Sequence, residues 1–464
     1  MSTSEFDGYK VDHLFLLIGE NPLPNYVAAK MLLKEGGKPY LVFSERTKEP
    51  AERIKDELNL SDNEMLPLNN NEANAYEIKK RIREKIKEIQ REVIFKHPEN
   101  NQFGLNYTGG TKAMAAHAYQ AFIFFDDKDC KNQLNPPPIF SYLDSSSLKM
   151  LIDQRGNPIP FDIPKEQLKL SLEKLFKLHG LSFSKPPKTD VTLPELVKAI
   201  VNSNSVWCEW CQKQLSVEGR QREEVKRIQI KREIGKGEET DSSQNNIDTE
   251  VYFNFGNWKN ATDLRELSLP IHELSQEITS ILGKSNFLNV EGNLSIKQIE
   301  VAQQEIEEKQ RIPKPKKDKE YPQDICKWLE GVWLEDYVLQ QLNKIKQECS
   351  LDQVGMSFNF PKSNIIEFEF DVACLRGYQL FAISCTSSDD SGLCKSKLFE
   401  AYHRARQMGG DEARVALVCY YNKPQDIKKR FMSQINDPKV MVFGSGDIAD
   451  LSEKLKTWIE GVDQ

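Results

Sequence analysis

Two adjacent glycines, Gly109 and Gly110, stand between a strand-like apolar run and a helix, and they restrict what this chain can build around them. The stretch reads Asn106-Tyr107-Thr108-Gly109-Gly110-Thr111-Lys112. Phe103 to Leu105 precedes it, and Ala113 to Phe125 follows with small and apolar residues at helical spacing. Paired glycines let a backbone turn tightly and approach a ligand without a Cβ clash. Thr108 and Thr111 add hydroxyls and Lys112 a point charge, while the helix start offers free N–H groups and a positive dipole end. This is the composition of a phosphate cradle. It is not a Walker A loop, because the leading glycine is missing and Ala113 stands where a magnesium-binding Ser or Thr would be. The plainer reading is a Gly-Gly turn that merely caps a helix.

A second loop bears on that choice. Asp12 to Ile18 reads as a buried parallel strand, followed by Gly19-Glu20-Asn21-Pro22-Leu23-Pro24-Asn25 and a helix from Tyr26 to Glu35. Gly36-Gly37 ends the helix and Pro39 to Phe43 supplies the next strand. This is a βαβ opening, and open α/β sheets bind ligands at strand carboxyl ends. The loop is not G-x-G-x-x-G, which argues against a dinucleotide cofactor. Together, G-E-N-P-L-P-N and N-Y-T-G-G-T-K resemble the CRISPR-associated Rossmann-fold sensor, the CARF domain, over residues 10 to 155. The resemblance implies a cyclic oligoadenylate ligand bound across a two-fold homodimer interface. It places Gly19, Glu20, Asn21, Pro22, Pro24 and Asn25 on adenine or ribose, and Thr108, Gly109, Gly110, Thr111 and Lys112 on phosphate.

At 464 residues the chain exceeds one core and predicts about three units. A formal charge of −7 advertises no global basic field, so any nucleic-acid site must be local. No apolar run approaches the ~20 residues of a membrane span, and the N-terminus lacks a charged-then-apolar leader. Nine cysteines in a chain this long make no disulfide scaffold, so a cytoplasmic protein with reduced thiols and no membrane partner is expected.

The expected order is sensor (1–160), middle region (161–308), basic Pro/Lys linker (309–323) and C-terminal domain (324–464). Ala73 to Val93 reads as an amphipathic helix with Ile78, Ile82, Ile86 and Ile89 on its buried face. Leu168, Leu172, Leu175 and Phe176 mark a helix ending at Gly180, and Leu193 to Ile200 another. Arg220, Arg222, Lys226, Arg227, Lys231 and Arg232 predict a solvated helical face rather than a nucleic-acid arm, and the tract GEETDSSQNNIDTE after them a turn or disordered segment. Cys208-Glu209-Trp210-Cys211 is a lone C-x-x-C without a second pair to complete a zinc site.

The chemistry is expected in the C-terminal segment. Trp328 to Leu339 reads as a helix with Trp333, Leu334 and Tyr337 on one face. Ile365 to Ala373 alternates strictly, placing Glu367, Glu369 and Asp371 on one side of a strand. Arg376-Gly377 turns the chain, Gln379 to Thr386 pairs back, a helix spans Lys395 to Arg406, and Ala413 to Tyr420 forms a third strand after Gly409-Gly410. Three carboxylates on one face are either solvated or gathered around a hard divalent cation, Mg2+ or Mn2+.

This order resembles the PD-(D/E)xK nuclease core. G-V-W-L-E, E-F-D-V and F-A-I-S-C are similar to the nuclease halves of the CARF effectors called CRISPR ancillary nucleases. The fold class implied is α/β: a Rossmann-like CARF domain, a mixed middle region and a restriction-endonuclease-like α/β domain. By that resemblance Glu335 and Asp371 are metal carboxylates, and Glu369 supports them from behind or holds a metal-bound water. Ser384 and Thr386 occupy the places of the family's acid and lysine. Thr386 departs from the pattern, since it cannot position water with a cation. Lys395 or Lys397 on the following helix can project into that space, and Lys397 is the candidate. The function implied is a cyclic-oligoadenylate-activated, metal-dependent endonuclease on DNA or RNA, with cyclic tetra-adenylate as the expected ligand. Two alternatives stand: a sensor-regulator with a degenerate nuclease domain, and a ring nuclease that degrades its own ligand.

Overall fold

The structure is a computed structural model that describes residues 5–96, 101–125, 134–145, 147–154, 157–163, 168, 170–183, 186–230, 247–309, 321–358 and 370–461. Seven strands form the first sheet: β1 (Val11–Leu17), β2 (Leu33–Phe43), β3 (Met65–Pro67), β4 (Phe103–Asn106), β5 (Ile139–Asp144), β6 (Lys149–Gln154) and β7 (Asn157–Asp162). Their order is β3-β2-β1-β4-β5-β6-β7. The first five run parallel, and β6 and β7 return antiparallel. β1 is buried along its whole length, as the apolar run over residues 14–17 requires for a strand covered on both faces, with Asp12 and His13 buried at its start.

Helices cover both faces of this sheet. Ala75–Lys96 lays Ile78, Ile82, Ile86 and Ile89 against Phe15, Val42 and Leu105. The other face packs the helix Leu23–Leu32 through Tyr26, Val27 and Met31. The predicted helix at Leu172 and Phe176 spans Leu172–Leu178 and stops at Gly180, whose φ of +78° suits glycine.

A hairpin of β8 (Arg220–Ile230) and β9 (Ile247–Trp258) follows, then the short pair β10 (Ser268–Leu269) and β11 (Leu294–Ser295). The basic cluster from Arg220 to Arg227 therefore lies on a strand and not on the helix expected of it, while Lys231 and Arg232 fall outside the described residues. The physical reason lies downstream. Val251, Tyr252, Phe253 and Phe255 make a strong strand former that pairs with the charged segment residue by residue. Residues 237–246 of the tract read as a turn, and 310–320 of the Pro/Lys linker, also lie outside the described residues, while residues 247–250 at the end of that tract belong to β9 and not to a turn.

The last sheet has the order β12 (Gln353–Met356), β13 (Val372–Arg376), β14 (Gln379–Thr386), β15 (Arg414–Cys419) and β16 (Val440–Phe443). It is antiparallel through β14 and parallel from β14 to β16. The helix Ser391–Gly409 makes the crossover from β14 to β15.

The chain divides into two compact units, 1–190 with 341–464, and 191–340. The first holds both large sheets around a common core, in which Tyr26, Phe43 and Phe176 belong to the same cluster as Phe358, Phe370, Leu380 and Leu398. Among the described residues no helix is long and apolar enough to cross a membrane.

Candidate functional site

The strand order places a switch point at β1. Its neighbours β2 and β4 lie on opposite sides, so the connections leaving β1 and β4 diverge and open a crevice at their carboxyl ends. Both loops singled out in the sequence sit there. They interlock: a Cβ on Gly109 would overlap the Leu17 carbonyl and stand 2.9 Å from both Asn25 Oδ1 and Gly19 N. Gly110 has φ +75°, and Gly19 would meet Gly110 N at 3.3 Å. These glycines are required by loop-on-loop contact.

The polar residues divide by what they already hold. Asn25 is fully buried and donates from Nδ2 to Leu17 O at 2.9 Å, so it ties the first loop to β1. Thr108 Oγ1 accepts from Leu143 N at 2.7 Å, pinning the second loop to β5. Thr111 is the N-cap of helix Lys112–Ile123, accepting from Met114 N at 3.1 Å. Pro22 is buried and Pro24 half-buried. Lys112 is exposed at the first helical residue, and Glu20 is exposed in an ion pair with Arg46. Arg46 went unnoticed in the sequence. It sits in the turn after β2 and is brought beside the first loop only by parallel pairing of β1 with β2. Tyr107 stacks on Tyr142 and donates from its hydroxyl to Asp153 at 2.8 Å; burial, then that carboxylate, pushes its pKa up.

The second constellation lies at the end of the β13–β14 hairpin. Asp371 Oδ2 accepts from Ser384 Oγ at 2.9 Å and from Cys385 N at 2.6 Å. Lys397 Nζ, from the crossover helix, stands 3.9 Å from the same oxygen. Lys395, two residues earlier, instead places its Nζ 5.5 Å from the Phe399 ring centroid. Thr386 lies on the same face of β14 as Ser384, by strand alternation. Glu367 and Glu369 lie outside the described residues. Glu335 is half-buried in the first turn of helix Trp333–Ile345, in the second unit.

A hard carboxylate fixed by two donors is the kind of group a Mg2+ or Mn2+ ion uses, and Asp371 fits that role. Among the described residues no three His, Cys, Asp or Glu side chains gather as a metal-binding group. Cys211 donates to Leu329 O at 3.3 Å and Cys208 to Asn204 Oδ1 at 3.4 Å, and burial raises the Cys211 thiol well above its ordinary value.

One buried acid, Glu412, stands beside the Gly410 turn. Burial pushes Glu412 up to about 7 from an ordinary 4.5. The native state then holds this proton where the unfolded chain has released it, so stability falls as pH rises from about 4.5 through about 7. Glu412→Gln should gain stability over the parent between pH 5 and pH 8, by up to roughly 3 kcal/mol. Unfolding curves at the two pH values check this; an identical pH dependence in both proteins would refute it.

No family model and no curated protein matches the chain. Solved structures do, two of them over nearly the whole chain. Can2 from Sulfobacillus thermosulfidooxidans, solved in complex with cyclic tetra-adenylate, superposes with a TM-score of 0.58 at 16% identity, covering 97% of this chain and 99% of that one. Protein VC1899 from Vibrio cholerae superposes with a TM-score of 0.61 at 13% identity, covering 97% and 98%. Over nearly its whole length, then, this chain shares its fold with Can2 and VC1899: a parallel-rich α/β sheet with a second, separate α/β sheet toward the C-terminus.

Proposed function

We propose that this protein is a nuclease switched on by a cyclic oligoadenylate, most simply cyclic tetra-adenylate, and acting in type III CRISPR antiviral defence. The observation that carries the reading is the Asp371–Ser384–Lys397 constellation on a hairpin-and-crossover sheet, in one compact unit with a switch-point crevice that exposes Lys112. The fold shared with a protein solved with cyclic tetra-adenylate supports the same reading.

A ring of phosphates with two-fold symmetry matches two copies of the crevice across an isologous homodimer interface. Lys112 and the free N–H groups of the Lys112–Ile123 helix take phosphate; Glu20 and Arg46 border the first loop. Ligand binding shifts the population toward a cleavage-competent state. At the second site Asp371 would hold Mg2+ or Mn2+, with Glu369 as a further acid. An ion held there would supply Lewis-acid stabilisation of phosphate charge and an activated water. Ser384 and the Cys385 amide keep the Asp371 carboxylate oriented. Lys397 offers the cation that offsets charge on the scissile phosphate, and Thr386 a hydroxyl beside it.

One assay tests the whole reading: purified protein with plasmid DNA or RNA, with and without cyclic tetra-adenylate and manganese. Cleavage that needs both additions is the expected result. Thr386 in the lysine's place favours a second reading, a sensor-regulator without cleavage, which predicts ligand binding and intact nucleic acid. Loss of the ligand itself would instead mark a ring nuclease. Lys112→Ala should weaken ligand binding by about 1.5–3 kcal/mol, the value of a charge-assisted phosphate contact. Unchanged affinity by calorimetry would remove Lys112 from the cradle.

A further inference from the structure

Asn21 belongs to the first crevice loop, yet its side chain faces the second sheet's elements. Its Oδ1 accepts from Leu23 N at 2.9 Å and lies 3.1 Å from His179 Nε2. Its amide nitrogen fills the space beside Gly410: a Cβ there would overlap Asn21 Nδ2 and stand 2.7 Å from Glu412 Oε2. Gly410 has φ +66° and ψ −153°, a conformation essentially reserved for glycine. The turn it makes ends the helix Ser391–Gly409. On its other side Gly409 is packed so closely on Leu380 of β14 that an added Cβ would stand 3.1 Å from that residue's Cβ. The Gly409–Gly410 turn is therefore gripped between a sensor loop and the strand that carries Ser384 and Thr386.

His179 gives this junction two settings. Its Nδ1 lies 2.8 Å from the Leu175 carbonyl, so both ring nitrogens face acceptors. Burial, with Arg53 nearby, lowers its pKa to about 4, and a neutral imidazole has one N–H for those two partners. With the proton on Nε2, His179 donates to Asn21 Oδ1 and the Leu175 contact loses its donor. With the proton on Nδ1, the Asn21 amide must turn to present Nδ2 to the ring, and it then leaves Leu23 N and the Gly410 turn. Neither arrangement satisfies every group, and turning the Asn21 amide as the His179 proton changes nitrogen exchanges them.

We propose that Asn21 is a positioning residue rather than a ligand contact. Held by His179, it couples the first crevice loop to the Gly409–Gly410 turn, and through the rigid helix Ser391–Gly409 it sets Lys397 against Asp371. Lys397 lies 13 residues before Gly410, about 20 Å along an α-helix. A displacement of the turn therefore reaches the Lys397–Asp371 pair without any other moving part.

The proposal rests on the functional reading above, and its test separates the two. In Asn21→Ala, affinity for cyclic tetra-adenylate by calorimetry should stay within about twofold, while cleavage at saturating ligand falls about tenfold or more, within the usual range of site–site coupling. His179→Leu should behave the same way, and His179→Gln, which restores an N–H toward Asn21 Oδ1, should recover most of the rate. Affinity lost with the saturating rate retained would make Asn21 a ligand contact and overturn the proposal, as would wild-type behaviour in both assays. Hydrogen exchange of the ligand-free proteins supplies an arm that needs no function: Asn21→Ala should speed exchange at Gly410 to Ala413 by about threefold or more. Equal exchange overturns the coupling whatever the ligand does. A parent protein that neither binds nor responds to cyclic tetra-adenylate defeats the functional reading, and the exchange result alone then decides the junction.

Discussion

Asp371→Ala is expected to lose metal-dependent cleavage by about 10³-fold or more while binding cyclic tetra-adenylate as the parent does. The carboxylate is the hard donor placed best in the second site. Ser384 Oγ and Cys385 N hold its Oδ2, so it is preorganised and needs no rearrangement to receive an ion. Alanine removes the carboxylate and leaves those two donors without the acceptor they share. Ligand affinity should survive because Lys112 and the interlocked glycines are held by β1, β4 and β5 of the other sheet. Nuclease assays across manganese concentrations, paired with calorimetry, check both halves. A variant that cuts normally, or one that also loses the ligand, would show the assignment to be wrong.

The second large effect concerns the cation. An electrostatic group aimed at developing charge is commonly worth ~10²–10³ in rate, so Lys397→Ala should reduce ligand-activated cleavage by about that factor. Thr386→Lys should then add little, because Lys397 Nζ already stands 3.9 Å from Asp371 Oδ2. Lys395 is the internal control: its ammonium lies over Phe399, and its removal should be silent. The inverse pattern, with Lys397→Ala silent and Thr386→Lys raising a weak activity, would mean that the helix lysine has no part in the chemistry. Silence of all three substitutions in an active enzyme would leave the water-positioning group elsewhere.

Much of the fold was legible because its signals are local. The apolar run of β1, the isoleucine stripe of Ala75–Lys96 and the Gly377 turn between β13 and β14 each report their own environment. The charged strand β8 was not legible, since its partner β9 begins beyond residues 231–246 and alternation on a charged segment resembles a solvated helix. The crevice was found from its glycines, but the division of labour inside it was hidden. Thr108, Thr111 and Asn25 have the chemistry of ligand contacts and spend it on Leu143, Met114 and Leu17, partners that only the folded sheet supplies. Lys397 was distinguishable from Lys395 only as one of two options. Their difference is the direction each takes from the same helix, toward Asp371 or toward Phe399.

The common core of the first unit also bears on how such a protein can be taken apart. Phe176 lies 5.6 Å from Phe358 and 5.9 Å from Phe370, ring centre to ring centre, so one apolar interior serves segments from both ends of the chain. A cut near residue 324, where composition invites one, would split that interior and strand each half with an uncovered face. The attachment points of 191–340 tell a different story: Asn343 Nδ2 donates to Thr189 O at 3.1 Å, so the chain leaves and re-enters almost at the same place. The two joins of the 191–340 block thus fall at one place on the first unit, while the segments that flank it in sequence share a single interior.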